Sequence, residues 1–349
     1  MSARLEALFY PEAPEGPGRR WLLAPLTVAE GAFRAAVALR TAAYARGWAR
    51  PARVEGLRVV SVGNLTVGGA GKTPVVRALA ERLAAAGHSV AILSRGYGRR
   101  ASDIRLVEGP PWPRVELAGD EPLMLARSLP GVRVWVGGDR LELARRARER
   151  GATVALLDDG FQTRRLARDL DVVVVDEAVG LGNGHLLPRG PLREPAFALR
   201  RAHLLWVRVA ERPARVDWPD GVPRVRARHA PRDVVGPAGA VSPAGELRGR
   251  RVVAFCGLAR PSSFRRTVQA LGAEVVRFEG FPDHHRYGAS ELKALEQAAP
   301  GAMLLTTEKD AVRLPEGFPA SVLRLGVTVL EGEEQLRHEL ARPPSGGGK

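Results

Sequence analysis

The chain has 349 residues, 45% of them apolar, and a formal net charge of +15 that is almost wholly arginine, since only Lys72, Lys293, Lys309 and Lys349 are lysines. That length carries two cores, and the single Cys256 excludes an intrachain disulfide. No run approaches the roughly 18–20 apolar residues of a spanning helix, and the N-terminus, lacking a compact apolar core and cleavage site, is not expected to be a signal peptide. The positive surface favours phosphates, nucleic acid or an anionic membrane.

Residues 1–20 are rich in Pro and Gly and expected to be extended. From Trp21 to about Trp48 runs a helical pattern with Leu22, Leu26, Phe33, Val37 and Tyr44 near one face and arginines interspersed. Such a helix either lies in a membrane interface or packs on the domain's own core.

Val59–Thr73, VVSVGNLTVGGAGKT, is an apolar strand, a turn holding Gly68, Gly69, Ala70 and Gly71, and then Lys72-Thr73. A helical pattern follows, with Val76, Leu79, Ala80 and Leu83 on one face. Thr66 stands where GxxxxGK[ST] has its first glycine, so the strict pattern fails. The order strand, glycine loop, Lys-Thr, helix nevertheless predicts a phosphate-binding loop. Backbone N–H groups of the turn and the helix N-terminus converge on one anion, the lysine reaches the outer phosphates, and the threonine hydroxyl suits Mg²⁺.

Strands are then expected at 89–94, 132–137, 153–160, 171–177 and 204–209, with helices at 119–129 and 138–151 between them. Continuous apolar strands between helices imply a parallel sheet covered on both faces. Composition shifts over 211–250, expected to be a linker with short strands around 222–230. A second alternation follows: strands at 251–258, 273–278, 302–307 and 322–329, helices at about 262–271 and 289–298, and a helical GEEQLRHEL. Together these predict an α/β fold: a P-loop α/β/α domain (51–210) and a smaller α/β/α domain (251–340), with a disordered tail at 341–349.

Asp158-Asp159 close an apolar strand at the carboxyl edge of the sheet, where ligands of doubly wound folds bind. Two acids there hold Mg²⁺ or its waters, or else make a turn. Asp120-Glu121 open a helix, which fits a cap or catalysis. His284, in FPDHHRY, is a base or orienter in an interdomain cleft or a solvated loop residue. In VVAFCGL, Cys256 is expected to be a small buried hydrophobe. The adjacent Lys309-Asp310 lacks the N-K-x-D spacing of guanine recognition, which favours ATP.

SVGNLTVGGAGKTP, LSRGYGR, GDEP, VGGDR, LDDGFQ, LPRGPLREP, FCGLARPSSF, FPDHH and TTEKDAV occur in the order found in the tetraacyldisaccharide 4′-kinase family, which the chain resembles from about residue 20 to 330. The resemblance implies ATP- and Mg²⁺-dependent phosphorylation of the 4′-hydroxyl of a lipid A disaccharide 1-phosphate precursor, giving lipid IVA, on two α/β/α domains joined by a short β linker. It implies a peripheral protein on the anionic cytoplasmic face of the inner membrane, docked by residues 1–50, with neither a nucleic-acid nor an obligate protein partner. By position it assigns Asp120, His284, Lys72 and Asp159 to catalysis, and Thr66, Gly68, Gly69, Ala70, Gly71, Lys72 and Thr73 to the nucleotide. Arg95, Asp158, Gln162 and Asp283 go to the substrate, and Thr73, Glu121 and Asp159 to the metal. One departure stands out: the family's LDDGFQ usually continues with His, whereas here Thr163 follows, and a hydroxyl does not replace an imidazole's charge. Outside this resemblance, the residues also admit a P-loop regulatory ATPase or metallochaperone acting on a protein partner. A basic nucleic-acid binder lacks the aromatic-plus-basic strand such proteins carry.

Overall fold

The computed structural model describes residues 8–11, 23–258 and 260–343. Most of the segment expected to be extended lies outside these residues, as does 344–349 of the expected disordered tail, whose first residue, Ala341, closes a helix. Among the described residues, thirteen strands form one sheet. Named in chain order they are β1 (Arg58–Gly63), β2 (Val90–Ser94), β3 (Arg105–Val107), β4 (Arg133–Val136), β5 (Val154–Asp158), β6 (Leu170–Asp176), β7 (Leu204–Arg208), β8 (Arg224–Val235), β9 (Val241–Pro243), β10 (Arg251–Cys256), β11 (Glu274–Gly280), β12 (Met303–Thr307) and β13 (Ala320–Glu331). The order across the sheet is β11-β10-β12-β13-β8-β7-β6-β1-β5-β2-β4-β3, with β9 alongside β8.

The helices are α1 (Ala24–Ala45), α2 (Lys72–Ala85), α3 (Val115–Ala118), α4 (Asp120–Ser128), α5 (Arg140–Glu149), α6 (Pro261–Ala270), α7 (Ala289–Gln297), α8 (Glu308–Ala311) and α9 (Glu333–Ala341). Every residue of β1, β2 and β5 is buried, as strands covered on both faces must be. On one face Val60 and Val62 meet Val76, Leu79 and Leu83 of α2. Val59, Ala155 and Leu157 meet Leu141, Leu143 and Ala144 of α5 on the other. Cys256 is buried, and burial pushes its thiol up to about 12, in keeping with an inert small hydrophobe.

Two parallel blocks meet where β8 runs antiparallel to β13, in register from Val322↔Val235 to Glu331↔Arg226. Within 211–250 the strand is therefore twelve residues long and extends past 222–230 through Pro231. A register shift opposite Pro231, between Arg324 and Leu325, absorbs a residue with no ladder N–H to give. After β13 the chain turns back. Leu336 of α9 enters the core against β8, and Arg58 donates to the carbonyl oxygens of Leu340 and, at 2.7 Å, of Glu339.

Helix α1 uses both of its faces. Its Val37 is buried and Phe33 packs against the cluster of Leu65 and Phe161. Glu30 accepts bonds from Arg34, at 2.7 Å, and from the Leu186 N–H, at 3.0 Å. The opposite face, Val28, Ala32, Ala35, Ala36 and Leu39, is open to solvent, with Val28 76% and Leu39 68% exposed. No helix of the described residues is long and apolar enough to cross a membrane.

Candidate active site

At the carboxyl end of β1 the chain passes into the glycine loop and α2. Gly63 permits a close crossing, since a Cβ there would lie 2.5 Å from Phe161 Cβ. That approach sets the Asp158–Phe161 turn beside the loop. Gly71 caps α2 at φ +80°, with no room for a side chain against the His229 ring. Lys72 and Thr73 open the helix. Behind the loop runs the LPRGPLREP segment: Val67 donates to Pro191 O at 2.8 Å and Arg193 N to Leu65 O at 2.8 Å, strapping Thr66–Val67 in place.

Lys72 Nζ donates to Asn64 Oδ1 at 3.0 Å and stands 3.5 Å from Asp159 Oδ1. Arg193 reaches Asp159 Oδ2 at 2.7 Å and Gln162 Oε1 at 3.4 Å, while Gln162 donates to Asn64 O at 3.1 Å. Asp158 accepts from Ser94 Oγ at 3.1 Å, and Arg140 Nη2 reaches its carbonyl oxygen at 3.4 Å. The structure thus gathers Lys72, Asp158, Asp159 and Gln162 at one sheet edge. Arg95 follows directly on β2, and its side chain is exposed to solvent.

Burial pushes the Asp158 carboxyl up, whereas for Asp159 the same effect is outweighed by Lys72 and Arg193, which hold it low. Glu121 keeps an open face on the cleft, yet the protein packed around it, and next Asp158, push it up to about 7. Carboxylates so crowded that one resists ionisation are a place for a cation. Asp159 Oδ1 is buried and met by the Lys72 ammonium only at 3.5 Å, which leaves it able to accept a metal ion. Among the described residues no three acidic or histidine side chains close around one ion. Mg²⁺ needs no such cage, being held by one or two carboxylates, waters and phosphate oxygens.

Across the cleft, Asp120 begins α4, but the cap is Gly119 and the Asp120 side chain makes no capping bond. Asp139, by contrast, does cap α5, accepting from Leu141 N at 3.0 Å and Glu142 N at 3.4 Å. The Asp120 carboxylate faces the other block of the sheet. His284 Nδ1 lies 2.7 Å from Oδ2, and Arg313 grips both oxygens, Nε to Oδ1 at 2.9 Å and Nη2 to Oδ2. Burial would raise this carboxyl, but Arg313 first and then His284 hold it below the usual range. Lys309 Nζ is 3.3 Å from His284 Nε2 and 2.7 Å from Asp283 Oδ1. Asp120, His284 and Asp283 therefore form one ionic group; Asn64, Ser94, Arg140, Arg193 and Arg313 stand with these residues although the sequence did not single them out, and Lys309, weighed there only for nucleotide choice, joins them. Asp159 (φ 57°) and His284 (φ 61°) are the two non-glycine residues of the described chain in the left-handed region. Strain of this kind gathers at functional sites.

His229, in the middle of β8, packs against Gly71; burial, and then Arg208, push its imidazole from 6.5 down to about 4. Between those pH values the unfolded chain takes the proton first, so stability falls as pH drops from about 6.5 to 4, by at most about 3 kcal/mol. Urea midpoints at pH 7 and pH 4.5 should show a smaller acid loss for His229→Gln than for the parent. Equal losses in both proteins would remove His229 as the cause.

A strand-loop-helix phosphate cradle with a lysine at the helix start and paired carboxylates at the end of β5, the strand beside β1, defines a P-loop phosphotransferase of α/β/α build. The family model for LpxK, tetraacyldisaccharide-1-P 4′-kinase, matches residues 19–343. Tetraacyldisaccharide 4′-kinase of Anaeromyxobacter dehalogenans strain 2CP-C is 52% identical over 97% of this chain and 94% of its own. For the same-named protein of Rhodospirillum centenum the identity is 42%, over 95% and 94%. A crystal structure of LpxK from Aquifex aeolicus in complex with ATP superposes with a TM-score of 0.80 at 33% identity, covering 92% of this chain and 98% of that one. The chain belongs to the tetraacyldisaccharide-1-P 4′-kinase family. These relatives do not favour an ATPase that drives a protein partner.

Proposed function

We propose that this chain transfers the terminal phosphoryl group of ATP to the 4′-hydroxyl of tetraacyldisaccharide 1-phosphate, the lipid A precursor, at the cytoplasmic face of the inner membrane. The observation that carries this reading is the convergence of Lys72 and Asp159, 3.5 Å apart at the glycine loop, and of Asp120 and His284, 2.7 Å apart, around Glu121, whose carboxyl feels Asp158, Lys72, Lys309 and Asp159. Thr66, Gly68, Gly69, Ala70 and Gly71 hold the nucleotide's phosphates through the loop. Thr73, Glu121 and Asp159 are the side chains that would hold Mg²⁺, whose charge, when bound, neutralises phosphate oxygens. Arg95, Asp158, Gln162 and Asp283 surround the acceptor sugar.

In the reaction, the 4′ oxygen attacks the terminal phosphorus in line as the bond to ADP breaks. Asp120 takes the hydroxyl proton, and His284 orients the carboxylate and shares that proton. Lys72 offsets the negative charge spreading over the transferring group. The test is transfer of label from γ-labelled ATP to the disaccharide 1-phosphate in mixed micelles containing Mg²⁺. Label released only as inorganic phosphate, with the acceptor unmodified, would overturn the reading.

The membrane part of the proposal rests on the open apolar face of α1, flanked by Arg34 and Arg40. Leu26, Phe33, Val37 and Tyr44, the face picked out by the sequence pattern, lie on the opposite side of the helix from Val28 and Leu39. Val28→Asp with Leu39→Asp should therefore weaken binding to anionic vesicles about tenfold or more while sparing the fold. Added salt should weaken it too, as the Debye length at physiological strength is about 8 Å. Indifference of the parent protein to such vesicles at low salt would leave α1 without a membrane role.

A further inference from the structure

We infer that Arg313 is a positioning residue: through it the second block of the sheet fixes the plane of the Asp120 carboxylate for the incoming hydroxyl. This rests on Asp120 being the proton acceptor. Arg313 follows α8, its side chain is 5% exposed, and its fork meets Asp120 through two nitrogens, Nε and Nη2. A two-point grip sets the direction of a carboxylate as well as neutralising it.

The grip is anchored from behind. Arg313 Nη1 lies 3.6 Å from Asp310 Oδ1, and Asp310 is fully buried. That carboxylate accepts from Gly257 N at 2.9 Å, Tyr287 Oη at 2.9 Å and Thr307 Oγ1 at 2.6 Å. Three separate segments of the second block thereby hold one carboxylate, which faces one guanidinium, which holds Asp120. His284 completes the set on Oδ2, so both Asp120 oxygens have defined partners, two on Oδ2 and Arg313 Nε on Oδ1. Around Asp120 the charged groups are Arg313, His284, Lys309 and Asp283 from the second block and Glu121 from its own helix. Of these, Arg313 alone binds both carboxylate oxygens. An ammonium in its place would keep the charge and lose the fork.

The experiment compares Arg313→Ala and Arg313→Lys, alone and combined with Asp120→Asn, by labelled transfer in mixed micelles. Arg313→Ala should lower kcat by about 10²-fold, the scale of a misplacement of about 1 Å, with KM for ATP within about twofold. Arg313→Lys should recover little of that loss. In the Asp120→Asn background Arg313→Ala should change the residual rate by less than about threefold, because its target is gone. Methylguanidine should restore Arg313→Ala and leave Arg313→Ala with Asp120→Asn unrestored. Multiplicative losses, or an Arg313→Lys enzyme as fast as the parent, overturn the inference. Should Arg313→Ala fail to fold, the Lys variant, which keeps charge and most of the volume, decides alone. Full turnover by Asp120→Asn would instead remove the proton-acceptor reading, an outcome distinct from failure of Arg313 alone.

Discussion

Lys72→Ala is expected to reduce phosphoryl transfer by at least about 10³-fold in kcat while the chain stays folded. Removing one donor aimed at developing charge costs about 10²–10³-fold, and a full positive charge at the transferring phosphoryl group is worth no less. Little of the fold depends on it: the ammonium bonds Asn64 at 3.0 Å and faces Asp159 at 3.5 Å. Its loss leaves Asp159 with Arg193, at 2.7 Å, and the buried Asp158 with the Ser94 hydroxyl, at 3.1 Å, and the charge of Arg140. Thermal melts should therefore shift little. Transfer assays on the variant decide the matter, and a normal rate would take the glycine loop out of the mechanism.

Asp120→Ala and His284→Ala should each lower kcat far more than they raise KM for ATP, and the two together should cost little more than the worse one. A sugar hydroxyl is a weak nucleophile, and a carboxylate that accepts its proton as the P–O bond forms contributes typically 10²–10⁴-fold. With Nδ1 of His284 2.7 Å from Oδ2, the two groups act as a unit, and losses within a unit do not multiply. A double-mutant cycle on kcat in mixed micelles measures this. Two independent, multiplicative losses would dissolve the pair, leaving the Asp120–His284 contact a cross-link between the blocks.

What the sequence disclosed follows the range of the interactions. The glycine loop was legible because strand, turn, lysine and helix lie within fifteen residues and each constrains its neighbour. Asp158 and Asp159 were legible because a sheet edge is a strand end. Arg313 meets Asp120 across a separation of 193 residues, and Arg193 meets Asp159 across 34, with no local pattern to announce either. Twin Gly-Asp starts at 119–120 and 138–139 look alike in sequence, yet only Asp139 caps, because Asp120 has Arg313 and His284 to bind instead. The twelve-residue β8 was obscured by Pro231 and by arginines. Its alternation, Val225 and Ala227 buried between Arg224, Arg226 and Arg228, was the available sign of a half-covered strand.

The return of α9 to the first block has a consequence for how the protein is made. Arg58 waits for carbonyl groups 281 and 282 residues further along the chain. At about 5–20 residues per second, roughly 15–60 s pass on the ribosome between synthesis of β1 and synthesis of the segment that covers it. Through that interval the nascent nucleotide-binding half presents an apolar seam where Leu336 will sit, and the guanidinium of Arg58 lacks its acceptors. A chain stalled before residue 333 would stay in that unfinished condition, a client for chaperones. Arrival of α9 is then the event that closes this early-made core.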